Sequence, residues 1–113
     1  MTPDAFRRIA LALVGATESA HMDHPDFRVG GKIFASLGYP DEHWGMLKIT
    51  PEQQANFVGQ APTIFQPVKG AWGRQGSTNV HLPSARVAPV REAMAAAWGN
   101  LANPRPARRR HAT

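Results

Sequence analysis

The sequence predicts a small α+β protein in which one antiparallel sheet carries helices on one of its faces. Two helix starts that contain proline and one long apolar stripe at helical spacing indicate three helices. Short runs of alternating or continuous apolar residues indicate about five strands, in the order α-β(3)-α-β(2)-α. The connections between consecutive strands are too short for parallel crossovers, so neighbouring strands are expected to be antiparallel.

The first helix is predicted from its cap and its apolar stripe. Thr2 supplies a hydroxyl N-cap, Pro3 suits the first helical position, and Asp4 lies near the positive end of the helix dipole. Gly15 is expected to end this helix. Four apolar side chains repeat at helical spacing and should face the core: Phe6, Ile9, Ala10 and Leu13.

Three strands are expected after the first helix. A short strand at 27–29 runs through a two-glycine turn into a returning strand at 32–37, and a third strand covers 44–49. Alternation along the returning strand predicts Phe34 on the face opposite Ala35. The segment that precedes these strands is interpreted as a loop.

The second half of the chain contains two more helices and two more strands. Thr50 starts a helix with a capping box, in which the Gln53 side chain reaches back to the Thr50 amide. Strands at 64–68 and 77–82 follow, and the glycine-rich stretch between them matches no regular pattern. The last helix is expected to start close to Pro89, because a proline deeper in a helix is costly.

Length and charge predict one domain with a basic tail. The 113 residues suffice for a single core, which we place at residues 1–103. The net charge is +5, but four of the thirteen Lys and Arg residues lie in the last ten positions, where there is no acidic residue. Residues 104–113 are therefore predicted to form a disordered basic tail on a nearly neutral domain.

Composition excludes several classes of function. The absence of cysteine removes disulfides, thiolate catalysis and cysteine-ligated zinc. No apolar run approaches the roughly 20 residues of a membrane-spanning helix, and the N-terminus does not look like a signal peptide. The expected location is the cytoplasm, with no membrane partner.

Metal binding and catalysis are not the favoured interpretations. The run His21-Met22-Asp23-His24 contains two imidazoles, but its spacing matches no metal motif, so no metal and no cofactor are expected. The candidates for acid–base chemistry are these residues and Glu18. His24, directly before a proline, is interpreted as a loop histidine. No serine has the flanking residues of a nucleophile elbow.

Two glycine-rich segments carry cations and aromatic residues and are candidates for nucleic-acid binding. Arg28 and Lys32 flank the first turn, and Lys69 and Arg74 flank Trp72 in the second segment. Cationic β-ribbons of this kind can contact phosphates, and their aromatic rings can stack on bases. The alternative is that the aromatic residues of both segments belong to the core.

Four stretches of the sequence resemble the MmcQ/YjbR family: HPDFRV at 24–29, GKIFA at 31–35, LKITPE at 47–52 and WGRQGST at 72–78. The resemblance implies a two-layer α-β(3)-α-β(2)-α fold similar to CyaY and to secretion chaperones, which agrees with the order derived above. It also implies a non-enzymatic DNA-binding protein with a double wing, the wings being the two glycine-rich segments. The implied DNA contacts are Arg28, Lys32, Lys69 and Arg74.

Two other functions remain open at this point. One is a small-ligand or peptide-binding module, acting in sequestration or as an adaptor, with an aromatic-lined cleft. The other is an adaptor similar to secretion chaperones, which requires an exposed apolar patch and a dimer; the DNA-binding hypothesis goes with a monomer. The candidate cleft residues are His24, Phe34, Trp44, Phe65 and Trp72.

Overall fold

The computed structural model describes residues 1–102, so the predicted tail at 104–113 lies outside the described residues. Ten helices and strands follow one another in this range, and a single 3-10 turn at Leu82–Ser84 precedes the last helix. They are α1 (Pro3–Leu11), β1 (Thr17–His21), β2 (His24–Val29), β3 (Lys32–Leu37), β4 (Trp44–Lys48), α2 (Pro51–Gln60), β5 (Phe65–Pro67), α3 (Ala71–Arg74), β6 (Ser77–His81) and α4 (Val87–Ala102).

The six strands form one antiparallel sheet in the order β1-β2-β3-β4-β6-β5. Helices α1, α2 and α4 contribute buried residues to a single core with one face of this sheet. The predicted α+β class is therefore confirmed. None of the helices within residues 1–102 is both long and apolar enough to cross a membrane.

Both predicted helix caps are present. The Thr2 hydroxyl accepts a hydrogen bond from the Ala5 amide at 3.0 Å and caps α1. In α2 the Gln53 amide donates to the Thr50 hydroxyl at 3.1 Å, and the Thr50 amide donates to Gln53 Oε1 at 2.9 Å. The Gln53 side-chain oxygen also accepts from Asn100 of α4 at 2.8 Å, so this cap ties α2 to the last helix.

A glycine in β4 allows α1 to lie close to the sheet. A Cβ atom at Gly45 would stand 2.8 Å from the Phe6 ring, and Phe6 is fully buried. Gly45 pairs with Leu37 on one side and Val80 on the other, and both are core residues. The Phe6 ring thus occupies the space that a side chain at position 45 would fill.

Strand β1 was not predicted from the sequence. All five of its residues are exposed at the edge of the sheet, so it has no apolar alternation to reveal it. Its hairpin turn contains no glycine: Met22 and Asp23 take the left-handed conformation instead, with φ of 49° and 67°. The segment interpreted as a loop is therefore a hairpin, and His24 is the first residue of β2 rather than a loop residue.

A register shift explains why the predicted orientation of Phe34 was wrong. Phe27 pairs with Ala35, but the next residue, Arg28, pairs with Ile33, which leaves Phe34 as an extra residue in β3. A bulge of this kind interrupts the alternation of side chains. Phe34 consequently lies in the core with Phe27 and Ala35, fully buried.

The glycine-rich stretch before β6 is a short helix rather than a β-turn. Its four residues form α3, which has no side-chain N-cap and contains a glycine, so no sequence pattern marks it. The last helix begins at Val87, slightly earlier than predicted. Pro89 then occupies the third helical position, where its missing N–H would have had no partner within the helix.

The close approach of Phe6 to Gly45 gives a test of the packing. We expect Gly45→Ala to lower the free energy of unfolding by about 1–3 kcal/mol, because the added methyl group overpacks a buried ring that has no space to move. Urea denaturation measures this change.

Gly59→Ala is the matched control. Gly59 lies in α2, and nothing stands within 4 Å of its added Cβ. The same substitution there should raise the free energy of unfolding by about 0.5–1 kcal/mol, since alanine is the better helix former. Equal effects at the two positions would contradict the packing described here.

Candidate functional site

The sheet face opposite α1, α2 and α4, called the open face below, is mainly polar. Cross-strand pairing aligns Asp26, Ser36, Met46 and Asn79 in one row across β2, β3, β4 and β6. Their sequence neighbours Phe27, Ala35, Leu47 and Thr78 form the next row and are fully buried. Side chains alternate along a strand, so the first row belongs to the open face.

A cleft of about 780 Å³ lies on the open face. Its walls come from the β1–β2 hairpin, the β3–β4 loop and the segment leading into α3, and its floor comes from β3, β4 and β6. The lining residues are His21, Met22, His24, Ser36, Tyr39, Pro40, Met46, Lys48, Val68, Lys69, Trp72, Ser77 and Asn79. A cavity of this volume is in the range of small-ligand sites.

The cleft combines cations with exposed aromatic rings. Lys48 and Lys69 line it together with two histidines, and none of its lining residues within 1–102 is an aspartate or a glutamate. Trp72 is 64% exposed, and the Lys48 ammonium lies 5.9 Å from the centroid of its ring. This distance fits a cation–π contact, which places a positive charge beside an accessible aromatic surface.

Two close contacts hold α3, and with it Trp72, at the rim of the cleft. A Cβ atom on Gly73 would stand 1.6 Å from the Val68 carbonyl oxygen, so only glycine allows this approach. Gln54 of α2 donates from its side-chain amide to the carbonyls of Gly73 at 3.0 Å and Ser77 at 2.9 Å. The short helix is thereby fixed to both α2 and β6.

Two buried hydroxyl groups line the cleft and have no hydrogen-bond partner within the described part of the chain. Ser36 is 6% exposed and Ser77 is 8% exposed. Neither side chain takes part in a hydrogen bond to any residue between Met1 and Ala102. Buried polar groups are normally paired, so these two hydroxyls are available to a ligand.

A buried carboxylate lies next to the cleft. Asp26 is fully buried on the open face, where Arg28 Nε donates to Oδ1 at 2.8 Å and Arg28 Nη2 donates to Oδ2 at 3.1 Å. His21 Nδ1 lies 2.8 Å from Oδ2. The hydrogen bonds from Arg28 lower the pKa of Asp26 below its usual value, helped by His21, although burial acts in the opposite direction.

His24 lies at the tip of the hairpin wall, directly after the turn. Its ring lies against Gly38, where a Cβ atom would come within 2.9 Å of the imidazole Nδ1. The Tyr39 ring meets it edge-on, with 6.0 Å between the ring centroids. Tyr39 itself is two-thirds exposed, so the β3–β4 loop presents a second accessible aromatic ring at the rim.

The four predicted DNA-contact residues differ in their surroundings. Arg28 is engaged with Asp26, and its side chain is one-third exposed. Lys32 is exposed at the start of β3, and Arg74 is exposed in α3. Lys69 is exposed and lines the cleft. The second predicted wing is a helix, so the expectation of two similar β-turn segments was wrong.

Two of the five predicted cleft residues line the cleft, namely His24 and Trp72. Phe34 and Phe65 are buried in the core on the helix side. Trp44 packs against His81, with 4.8 Å between the ring centroids, and is not among the lining residues.

Sequence reasoning missed several lining residues. Ser36 and Met46 are open-face positions that strand alternation could have identified, since each lies beside a core residue of the same strand. Lys48 and Ser77 come together only because β4 pairs with β6, and no sequence signal announces that pairing. Tyr39 reaches the rim through the conformation of the β3–β4 loop.

Comparison with known proteins identifies the family. The YjbR family model matches residues 11–99, which is most of the chain. The chain belongs to the YjbR family. The resemblance derived from the sequence is thereby confirmed. No curated protein sequence matches the chain.

A solved member of the same family has the same fold. The crystal structure of the Deinococcus radiodurans protein DR2400, described as containing domain DUF419, matches with a TM-score of 0.69. The match covers 88% of this chain and 79% of that one, with 18% sequence identity. At this identity the likeness concerns the fold.

The ion pair at Asp26 leads to a prediction about acid stability. We expect Arg28→Met to lower the free energy of unfolding at pH 7 by roughly 2–4 kcal/mol, because a buried carboxylate loses its cation. In the wild type, the contribution of Asp26 is complete above about pH 4 and is lost as the pH falls through its lowered pKa. In the variant the carboxylate lacks the hydrogen bonds that lower its pKa most, so this loss of stability on acidification should be smaller.

Urea denaturation between pH 2 and pH 7 measures both effects. Arg86→Met is the control, since Arg86 is exposed and forms no ion pair with another residue of the described range. A change of less than 0.5 kcal/mol in Arg28→Met, equal to that of the control, would mean that Arg28 does not stabilise the carboxylate.

Proposed function

We propose that this YjbR-family protein is a binding protein whose open-face cleft holds a flat aromatic ligand that carries an anionic group. The observation that carries the proposal is the exposed Trp72 ring beside Lys48, in a cleft that residues 1–102 line with a second lysine and no carboxylate. Tryptophan rings that remain exposed beside a cleft are suited to stacking on flat ligands. The lysines supply the attraction for a negative charge.

The floor of the cleft supports the same ligand class. Met46 offers an apolar and adaptable surface for a ring, and Asn79 lies beside it in the same cross-strand row. The unpartnered hydroxyls of Ser36 and Ser77 can donate to or accept from polar atoms of the ligand. A cavity that combines apolar surface with placed polar groups is the usual composition of a small-ligand site.

The role of Trp72 is tested with 2-naphthalenesulfonate as the probe, by isothermal titration calorimetry. We expect Trp72→Ala to weaken binding about tenfold, the loss of one stacked aromatic contact. Trp44→Ala is the control, because it removes another tryptophan ring, one that is half-buried and does not line the cleft. Absence of binding by the wild type, or equal losses in both variants, would contradict the proposal.

The role of the cations is tested with a charge comparison. Lys48→Met combined with Lys69→Met should weaken binding of 2-naphthalenesulfonate several-fold and leave binding of the uncharged 2-naphthamide unchanged. Arg8→Met with Arg91→Met removes the same charge from the groove between α1 and α4 and serves as control. An equal loss of affinity in the control would show that the effect comes from the net charge of the protein, and it would contradict a specific contact between the lysines and the anion.

DNA binding is the second candidate, supported by the clustering of cations at one end of the sheet. Strand register brings the β2–β3 turn to the same sheet end as the β4 terminus, where Lys48 pairs with Ser77. The segment from β5 through α3 to β6 starts and finishes at this end as well. Lys32, Lys69 and Arg74 are all exposed there. These three cations, rather than Arg28, are the contacts we propose for DNA phosphates.

Duplex DNA titration at several salt concentrations tests the second candidate. Replacing Lys32, Lys69 and Arg74 with alanine should reduce the slope of log affinity against log salt by roughly 2.7, about 0.9 for each lost phosphate contact. Alanine at Arg8, Arg86 and Arg91 removes the same charge elsewhere and should change the slope far less. Repeating the titration with residues 1–103 alone separates the domain from its basic tail, and absence of binding by both lengths excludes DNA as the partner.

A further inference from the structure

His21 lies on the cleft wall, with one ring nitrogen engaged and the other without a partner among residues 1–102. It is the last residue of β1, it lines the cleft, and its side chain is about half exposed. Nδ1 is 2.8 Å from the Asp26 carboxylate. Nε2 forms no hydrogen bond with any residue in the described part of the chain. The free nitrogen is therefore open to a group in the cleft.

The network behind His21 fixes which nitrogen carries the proton. Arg28 can only donate hydrogen bonds, and it donates to both oxygens of Asp26, so the carboxylate is ionised. An ionised carboxylate can only accept, and the hydrogen between it and His21 must therefore lie on Nδ1. In the neutral imidazole, Nε2 is then a hydrogen-bond acceptor. A buried carboxylate that holds a histidine in one tautomer is a familiar arrangement in proteins.

We propose that His21 Nε2 is the hydrogen-bond acceptor through which the cleft selects aromatic ligands that carry a hydroxyl or N–H group. The inference rests on the proposed ligand-binding function and adds a specificity residue to it. Asp26 and Arg28 are positioning residues, since they set the tautomer of His21 and do not line the cleft.

The register of the sheet indicates how a ligand would be oriented in the cleft. His21 pairs with His24, which lies two residues before Asp26 in β2. Lys48 lies two residues after Met46 in β4, and Met46 is in the same cross-strand row as Asp26. The two strands run in the same direction, so His21 and Lys48 lie on opposite sides of this row. About four residues, or roughly 13 Å along the strands, therefore separate the acceptor end of the cleft from the cationic end. The ligand class is an elongated aromatic anion with its donor group remote from its negative charge.

A pair of probes isolates the donor group. The probes are 6-hydroxy-2-naphthalenesulfonate and its 6-methoxy analogue, in which a methyl group replaces the hydroxyl hydrogen. Both are titrated by calorimetry at pH 8. We expect the wild type to bind the hydroxy probe about tenfold more tightly. His21→Phe should bind both probes equally, because it keeps a ring and loses the acceptor. His43→Phe, an exposed histidine outside the cleft, should retain the full preference.

Long-range proton–nitrogen NMR of the free protein reads the tautomer without any ligand. We expect wild-type His21 to carry its proton on Nδ1. In Asp26→Asn the amide NH₂ can donate to His21 Nδ1, so we expect the proton to move to Nε2 and the preference for the hydroxy probe to disappear. A merely structural role of His21 would not couple the tautomer to probe selection.

Each adverse result is distinguishable. A proton on Nε2 in the wild type, or a hydroxyl preference that survives in His21→Phe, overturns the inference and leaves the proposed function standing. Equal binding of the two probes by the wild type does the same. If neither probe nor 2-naphthalenesulfonate binds, the proposed function fails and the inference fails with it. The Phe variant provides this test even if Asp26→Asn does not fold.

Discussion

The helices cover only one face of the sheet, and this one-sided burial is the constraint on which the rest of the structure depends. Nearly all large apolar side chains in the strands point to the helix face, where Phe6 fits into the space left by Gly45. The bulge at Phe34 moves one more ring to that side. The open face is left with mainly polar side chains, and the cleft forms there because no element of residues 1–102 fills it.

The buried Asp26 is the exception on the open face and explains much of its chemistry. A carboxylate with no exposure is tolerated only when its charge is paired and its oxygens are hydrogen-bonded, and Arg28 and His21 meet both needs. The pairing also offsets part of the charge that Arg28 would otherwise present to an external anion. A residue that looks like a phosphate contact in the sequence is therefore paired with a buried carboxylate, which also contacts a histidine.

The position of the charged residues in this protein matters more for binding than its net charge does. The domain is nearly neutral, yet the described residues line the cleft with two lysines and no carboxylate, because the acidic residues lie elsewhere or are paired. Lys48 and Lys69 come from different strands and loops, and they meet beside Trp72 since β4 pairs with β6 and Gly73 packs against Val68. Small anions and DNA phosphates would both be drawn to this end of the sheet, which is why the two candidate functions share residues.

Local patterns in the sequence were enough to predict the fold class, the helix caps and most strands. The capping box of Thr50 and Gln53 depends on residues three apart, and the apolar stripes depend on one element each. Strand β1 escaped prediction because an exposed edge strand needs no apolar residues, and α3 escaped because Gln54 and a close backbone contact hold it rather than its own propensity. The site could not be predicted in the same way. Asp26 pairs with Arg28 and His21, and Lys48 meets Trp72, but the spacing of these residues in the sequence does not indicate either contact. Only the tertiary structure decided these, because burial and strand order determine which side chains share a face and which charges neutralise one another.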